Sequence, residues 1–242
     1  MNKNSNTYQI LYSSIMVVVV GAVLAFVYMA LKPQQTKNID NDKRMQILSA
    51  VRIAATNDNV EQLFNKHVTG QYLMDLQGNV VDSTQDAAFK IEMKKNVKLA
   101  DSERKLPVYI CTLENGETKY VMPVYGAGLW GPVWGYVAVD ADGSTIYGAN
   151  FSHEGETPGL GARIADDSTF HQSFRGKQLI KEGAYKGIEV VKKGLQTSVE
   201  GADYVDALSG ATITSRGVSD MLSTCLKYYE PFLKGLQSKT AK

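Results

Sequence analysis

From Ile10 to Leu31 the chain reads I-L-Y-S-S-I-M-V-V-V-V-G-A-V-L-A-F-V-Y-M-A-L, without one charged side chain. A bilayer core is crossed by roughly 20 helical residues, and this run is about 22 long. A buried core helix so near the start of the chain and so uniformly apolar is not expected. Tyr12 and Tyr28 lie near its ends, where aromatic side chains meet the membrane interface. A cleaved signal peptide would close on small residues, and the exit Met29-Ala-Leu-Lys-Pro33 does not. The expected organisation is an N-terminal tail (1–9), one uncleaved transmembrane helix (10–31), a polar linker (32–41) and a domain (42–242). Lys37, Lys43 and Arg44 follow the segment while only Lys3 precedes it, so the positive-inside count does not favour export of that domain.

Within the domain, a helix is expected from Asp42, its N-cap, with Met45, Ile47, Leu48 and Val51 on one side. A second helical turn carries Val60, Leu63, Phe64 and Val68. After Gly70 the pattern changes to strands joined by tight turns at Gln77-Gly-Asn79, Asn115-Gly116 and Asp142-Gly143. Successive hairpins give neighbouring antiparallel strands. Val218, Met221, Leu222, Cys225, Leu226 and Tyr229 then recur at helical spacing before Pro231, in a helix expected just after Ser215. The fold class is α+β, an antiparallel sheet with flanking helices.

Charge and ligand-type residues exclude several functions. Lys and Arg total 26 against 25 Asp and Glu, which leaves no basic stripe for nucleic acid. His67, His153 and His171 lack ligand spacing, so no metal site is expected. Cys111 and Cys225 form no C-x-x-C motif. One bridge between them is open to an exported domain, and two buried thiols are the simpler reading.

Gly126-Ala-Gly128-Leu-Trp-Gly131 matches G-x-G-x-x-G, but Pro132 and a strand follow where the dinucleotide fingerprint needs a helix. A loop between strands is expected instead. Trp130 in it is either a wall for a planar ligand or a core tryptophan. Asp206 to Ser215, D-A-L-S-G-A-T-I-T-S, is a small, hydroxyl-rich turn leading into the last helix. A helix N-terminus offers unpaired N–H groups to a phosphate, and Gly210 and Ala211 leave room for a bulky group. The same residues also suit simple capping by Thr214 or Ser215, with Thr212 part of a turn.

D-x-x-S-G-A-T resembles the flavinylation motif of the FMN-binding domain family, in which the last threonine, here Thr212, carries FMN through a phosphoester. Glu156-Thr-Pro-Gly-Leu-Gly161 resembles that family's second segment. An N-terminal anchor, Gly128-Leu129-Trp130, Gly135-Tyr136, this segment and S-G-A-T, in that order, are similar to the C-subunit family of sodium-translocating NADH:quinone oxidoreductases. The G-subunit family of the Rnf ferredoxin:NAD oxidoreductase is the paralogous alternative. A membrane-anchored binding domain without cofactor and a stand-alone flavoenzyme are the other two readings. The resemblance implies covalent FMN on Thr212, with Asp206, Ser209, Gly210, Ala211, Thr214, Leu129, Trp130, Glu156, Thr157, Gly159 and Leu160 around it, and no catalytic residue of the chain's own. It also implies an electron carrier in a complex that oxidises NADH, reduces quinone and moves Na⁺. Its partners would be other membrane and peripheral subunits and a Mg²⁺-dependent flavin transferase that takes FMN from FAD. Its location would be the bacterial inner membrane, with the domain on the periplasmic side. A single membrane helix without ionisable residues offers no ion path of its own.

Overall fold

The apolar run is helical, and the helix does not stop where the run ends. A computed structural model, which describes residues 6–240, has α1 continuous over Asn6–Ala50. Residues 32–41, expected as a linker, therefore lie within a helix, and Asp42 is interior to it rather than an N-cap. Of the expected tail, residues 1–5 with Lys3 lie outside the described residues, and 6–9 are already helical. The polar segment absorbs Pro33 because its other side chains are compatible with helix. Gln34 donates to Asn38 Oδ1 one turn on (3.0 Å), and Thr36 Oγ1 donates to the Lys32 carbonyl (3.1 Å). Two compact units divide at Lys43. In the first, an 18-residue window reaches mean hydropathy 2.6 with its side chains exposed, long and apolar enough to cross a membrane.

The second unit begins at Arg44. There α1 ends in a Schellman turn, in which Ile53 N–H bonds the Leu48 carbonyl and Arg52 N–H the Ser49 carbonyl. The chain continues through α2 (Val60–His67), β1 (Val68–Met74), β2 (Val80–Asp82), α3 (Met93–Asn96), β3 (Leu106–Thr112), β4 (Thr118–Ala127), β5 (Pro132–Asp140) and β6 (Ile146–His153). It closes with α4 (Arg163–Asp166), α5 (Ser168–Gln172), β7 (Ile180–Lys181), β8 (Ala184–Tyr185), β9 (Ile188–Val191), β10 (Asp203–Asp206), α6 (Thr212–Tyr228) and α7 (Glu230–Thr240).

β1 to β6 form one antiparallel sheet in the order β2-β1-β3-β4-β5-β6, and its three expected hairpin turns are present. The fold is α+β, as the spacing implied. Successive side chains of a strand point to opposite faces, and both faces are covered here. Val108, Met122, Val124, Val137 and Val139 pack with α6 and α7. Tyr109, Cys111, Val121, Tyr136 and Ala138 pack with α2 and the end of α1. Both cysteines are free and buried, Cys111 in the second layer and Cys225 in the first, so the sheet separates them and they do not bridge.

Among the described residues, one pairing is parallel. β9 and β10 pair in parallel as a separate two-stranded sheet beside α6. Lys181 and the Gln178 N–H hold Asp203 at the start of β10 (2.8 and 2.7 Å).

Candidate functional site

β10 delivers the chain to the turn Ala207–Ala211, and α6 starts at Thr212, ahead of the start expected after Ser215. Gly210 makes the corner at φ +79°, a left-handed conformation that suits glycine. Buried Ala211 is the N-cap and makes no side-chain cap bond. The Ser215 hydroxyl instead accepts from the Leu208 N–H (3.1 Å), and the Ser215 N–H bonds the Ala211 carbonyl (2.8 Å). Neither Thr214 nor Ser215 is therefore a cap: both are buried inside the first turn. Thr212, the first helical residue, is exposed. The N–H groups of this first turn have no helical carbonyl to bond, and the helix end is partially positive.

One flank of Thr212 is a cleft of about 780 Å³ between α6, β9 and the 192–199 loop. Thr212, Arg216, Ser219, Asp220, Ser223 and Lys227 give it a polar stripe at helical spacing, facing Ile188 and Val190. Arg216, one turn beyond Thr212, makes no ion pair among the described residues. The loop is clamped by the buried Glu189 carboxylate, which accepts from the Ser198 hydroxyl and from the N–H groups of Ser198 and Val199. Burial opposes the Glu189 charge, but these donors outweigh it and hold its carboxyl below the ordinary range.

The other flank is apolar and open. Leu129, Trp130, Leu160 and Ile213 are 46%, 69%, 46% and 57% exposed. Trp130 is thus no core residue: it sits in the loop between β4 and β5, where Gly128 N–H bonds the Gly131 carbonyl and no helix follows. Leu160 lies against Gly210. It ends an exposed turn in which the Thr157 carbonyl accepts from Leu160 and Ala162 and Gly159 adopts φ +75°.

Buried Glu156 joins these pieces. Its Oε1 accepts from the Trp130 N–H (2.9 Å) and its Oε2 from the Thr214 hydroxyl (2.5 Å). Burial opposes its charge, but Thr214, the N–H groups of Trp130 and Leu129, and nearby His153 outweigh it, and its carboxyl also titrates below the ordinary range. Glu156 and Thr214 therefore lie beneath the surface with their polar groups on each other. Asp206 and Ser209 are exposed on a separate cleft of about 600 Å³, with Arg163, Asp167 and Tyr204. The structure thus gathers Thr212, Gly210, Leu160 and, through Glu156, Trp130, while Asp206 and Ser209 line another cavity. Arg216, Glu189 and the 192–199 loop were not among the residues expected from sequence. The polar stripe of Thr212, Arg216, Ser219 and Ser223 was a periodic signal, whereas the loop clamp has none.

Residues 128–227, which include this site, match the family model for the FMN-binding domain. The C-subunit of the Na(+)-translocating NADH-quinone reductase of Vibrio alginolyticus is 31% identical over 232 residues, 89% of each chain. The corresponding protein of Neisseria meningitidis serogroup A is 33% identical, over 93% of this chain and 90% of that one. The crystal structure of the Parabacteroides distasonis C-subunit superposes with a TM-score of 0.75 at 42% identity, covering 84% of this chain and 96% of that one. The chain belongs to the C-subunit family of the Na(+)-translocating NADH-quinone reductases.

Proposed function

We propose that Thr212 carries FMN as a phosphoester and that the protein is an electron-carrying subunit of a membrane complex coupling NADH oxidation and quinone reduction to Na⁺ translocation. The observation that carries this reading is the position of Thr212: the exposed first residue of α6, with no capping duty, at the positive end of a helix. The residues present fit the group. A phosphate on Thr212 Oγ1 would be held by the unbonded first-turn N–H groups, with Arg216 one turn on, and the exposed Leu129, Trp130, Leu160 and Ile213 suit an aromatic ring system. FMN, when bound, supplies reversible acceptance of electrons. The chain's own residues tether it, shield part of it from water and fix its orientation.

Attachment needs a flavin transferase, because an exposed threonine hydroxyl is a weak nucleophile and no activating base contacts Thr212 among the described residues. α1 anchors the chain once in the bacterial inner membrane, with the domain on the periplasmic side, beside the complex's other membrane and peripheral subunits. A cofactor-free binding domain would leave the uncapped helix end and the open apolar rim without a purpose.

The test is co-production with a flavin transferase, denaturation, and detection of flavin fluorescence and of the mass of the peptide containing Thr212. Wild type retains flavin on that peptide and Thr212→Ala loses it completely. Flavin retained by Thr212→Ala, or a wild-type peptide of unmodified mass, overturns the proposal.

A further inference from the structure

Glu156 is buried, held ionised, and surrounded by neutral hydrogen-bond donors, with His153 beside it. The His153 Nδ1 accepts from the Glu156 N–H (3.2 Å). The Glu156 carboxylate belongs to no salt bridge among the described residues. A buried carboxylate outside any salt bridge is a poor choice for stability, since an amide or apolar side chain avoids most of the desolvation cost. Its neighbours are also built around it. A Cβ at Gly128 would collide with Glu156 Oε1 at 2.5 Å, and one at Gly161 would collide with Glu156 Oε2 and with Thr214 Oγ1. Three segments converge on this one group: the tip of the Trp130 loop, the 156–161 turn and the first turn of α6. Thr214 is two residues from Thr212, so on a helix their side chains point to nearly opposite sides. Thr212 faces outward, exposed, while Thr214 faces inward to the clamp.

We propose that Glu156 and Thr214 are positioning residues for the flavin: their hydrogen bond fixes Trp130 and Leu160 relative to Thr212 and so sets the seat of the ring without touching it. The inference rests on the reading of Thr212 as the attachment point. The bond does two separable things. It is a tether between the Trp130 loop and α6, and it keeps a fixed negative charge under the site, which disfavours reduction of a nearby flavin.

The experiment uses the full-length chain in detergent, co-produced with a flavin transferase, and reads covalent flavin per chain, flavin fluorescence lifetime and midpoint potential. An indole in contact with the ring shortens the lifetime by electron transfer, so Trp130→Leu defines the unquenched limit. Thr214→Val removes the tether's donor and lengthens the lifetime toward that limit at wild-type flavin content. Thr214→Ser, which keeps the hydroxyl, restores the short lifetime. Glu156→Gln keeps an acceptor but not the charge, so the lifetime stays near wild type while the midpoint potential rises. A wild-type lifetime and potential in both Thr214→Val and Glu156→Gln overturn the proposal. A Trp130→Leu lifetime equal to wild type also overturns it, because the ring is then not beside that loop. Absence of covalent flavin from the wild type sinks the reading of Thr212 instead, which the mass of its peptide reports independently.

Discussion

The two faces of the six-stranded sheet draw alternate residues from the same strands and use them differently. On the α1–α2 face, Tyr109 and Tyr136 meet edge to face (6.3 Å between ring centres), the Tyr109 hydroxyl donates to the Ala88 carbonyl, and Trp134 Nε1 donates to Gln46. On the α6 face, Val218, Met221 and Leu222 are packed as tightly, yet the helix begins in the open beside exposed Leu160 and Ile213. One face is closed for stability, and the other is closed along the helix body and open at its N-terminus. A site built this way rests on a rigid helix while its loops stay adjustable.

A pair of glycines tests whether the faces are independent. A Cβ at Gly217 would overlap the Ala127 carbonyl oxygen, so Gly217→Ala forces α6 away from β4. A Cβ at Gly148 would meet the Ala50 carbonyl oxygen at 2.5 Å on the opposite face. Each substitution should destabilise by roughly 1–3 kcal/mol through overpacking, read as a lower midpoint in thermal or urea unfolding. Only Gly217→Ala should also disturb the start of α6, lowering the content of the covalent flavin proposed for Thr212 or lengthening its fluorescence lifetime. If Gly148→Ala disturbs the flavin as strongly, the two faces are coupled through the sheet and do not act independently.

Acid should open the α6 face first. Its buried carboxylates, Glu156 and Glu189, both titrate below their ordinary value of 4.5 when folded. A lowered folded pKa means that their contribution is fully present above the unfolded value and is lost as pH falls through the folded one. Stability on this face should therefore be level at neutral pH and decline below about pH 4.5. Hydrogen exchange corrected for its intrinsic pH dependence should show the Trp130, Ser198 and Val199 amides losing protection before the Val51 and Ile53 amides of the α1 end. Simultaneous loss at all five positions would mean that the carboxylates do not govern local opening.

What the sequence disclosed follows the same division. The hairpins were legible because Asn115-Gly116 and Asp142-Gly143 encode their turns locally, and the body of α6 because its apolar residues repeat at helical spacing. The continuity of α1 through residues 32–41 was hidden because Pro33 and the polar run imitate a break. The early start of α6 was hidden for a different reason. Thr212-Ile-Thr-Ser215 has little helix propensity, and its turn forms because Thr214 bonds Glu156 and Ser215 bonds Leu208, contacts that no local pattern announces. The parallel pairing of β9 with β10 depends likewise on tertiary packing, with α6 lying against β9. At the candidate site, Thr212, Trp130 and Leu160 could be nominated from motifs, whereas the inward placement of Glu156 needed the distance to Thr214.

The smallest expected effect lies on the closed face, at the end of α1. Arg52 adopts φ 62°, where a side chain costs about 1–2 kcal/mol relative to glycine. Its guanidinium lies 3.6 Å from the centre of the Tyr147 ring, a contact worth about 0.5–1 kcal/mol at an exposed position. Arg52→Ala keeps the strained conformation and loses the ring contact, so it should destabilise by up to about 1 kcal/mol. Arg52→Gly loses the same contact but removes the strain, at the cost of extra freedom in the unfolded chain, and should fall within about 0.5 kcal/mol of wild type. Urea midpoints at constant slope give the order directly. A glycine variant less stable than the alanine variant would show that the left-handed turn is not what limits this helix end. Because Arg52 lies across the sheet from α6, flavin content should be unchanged in both variants, which makes the pair the most sensitive check that the two faces answer to different residues.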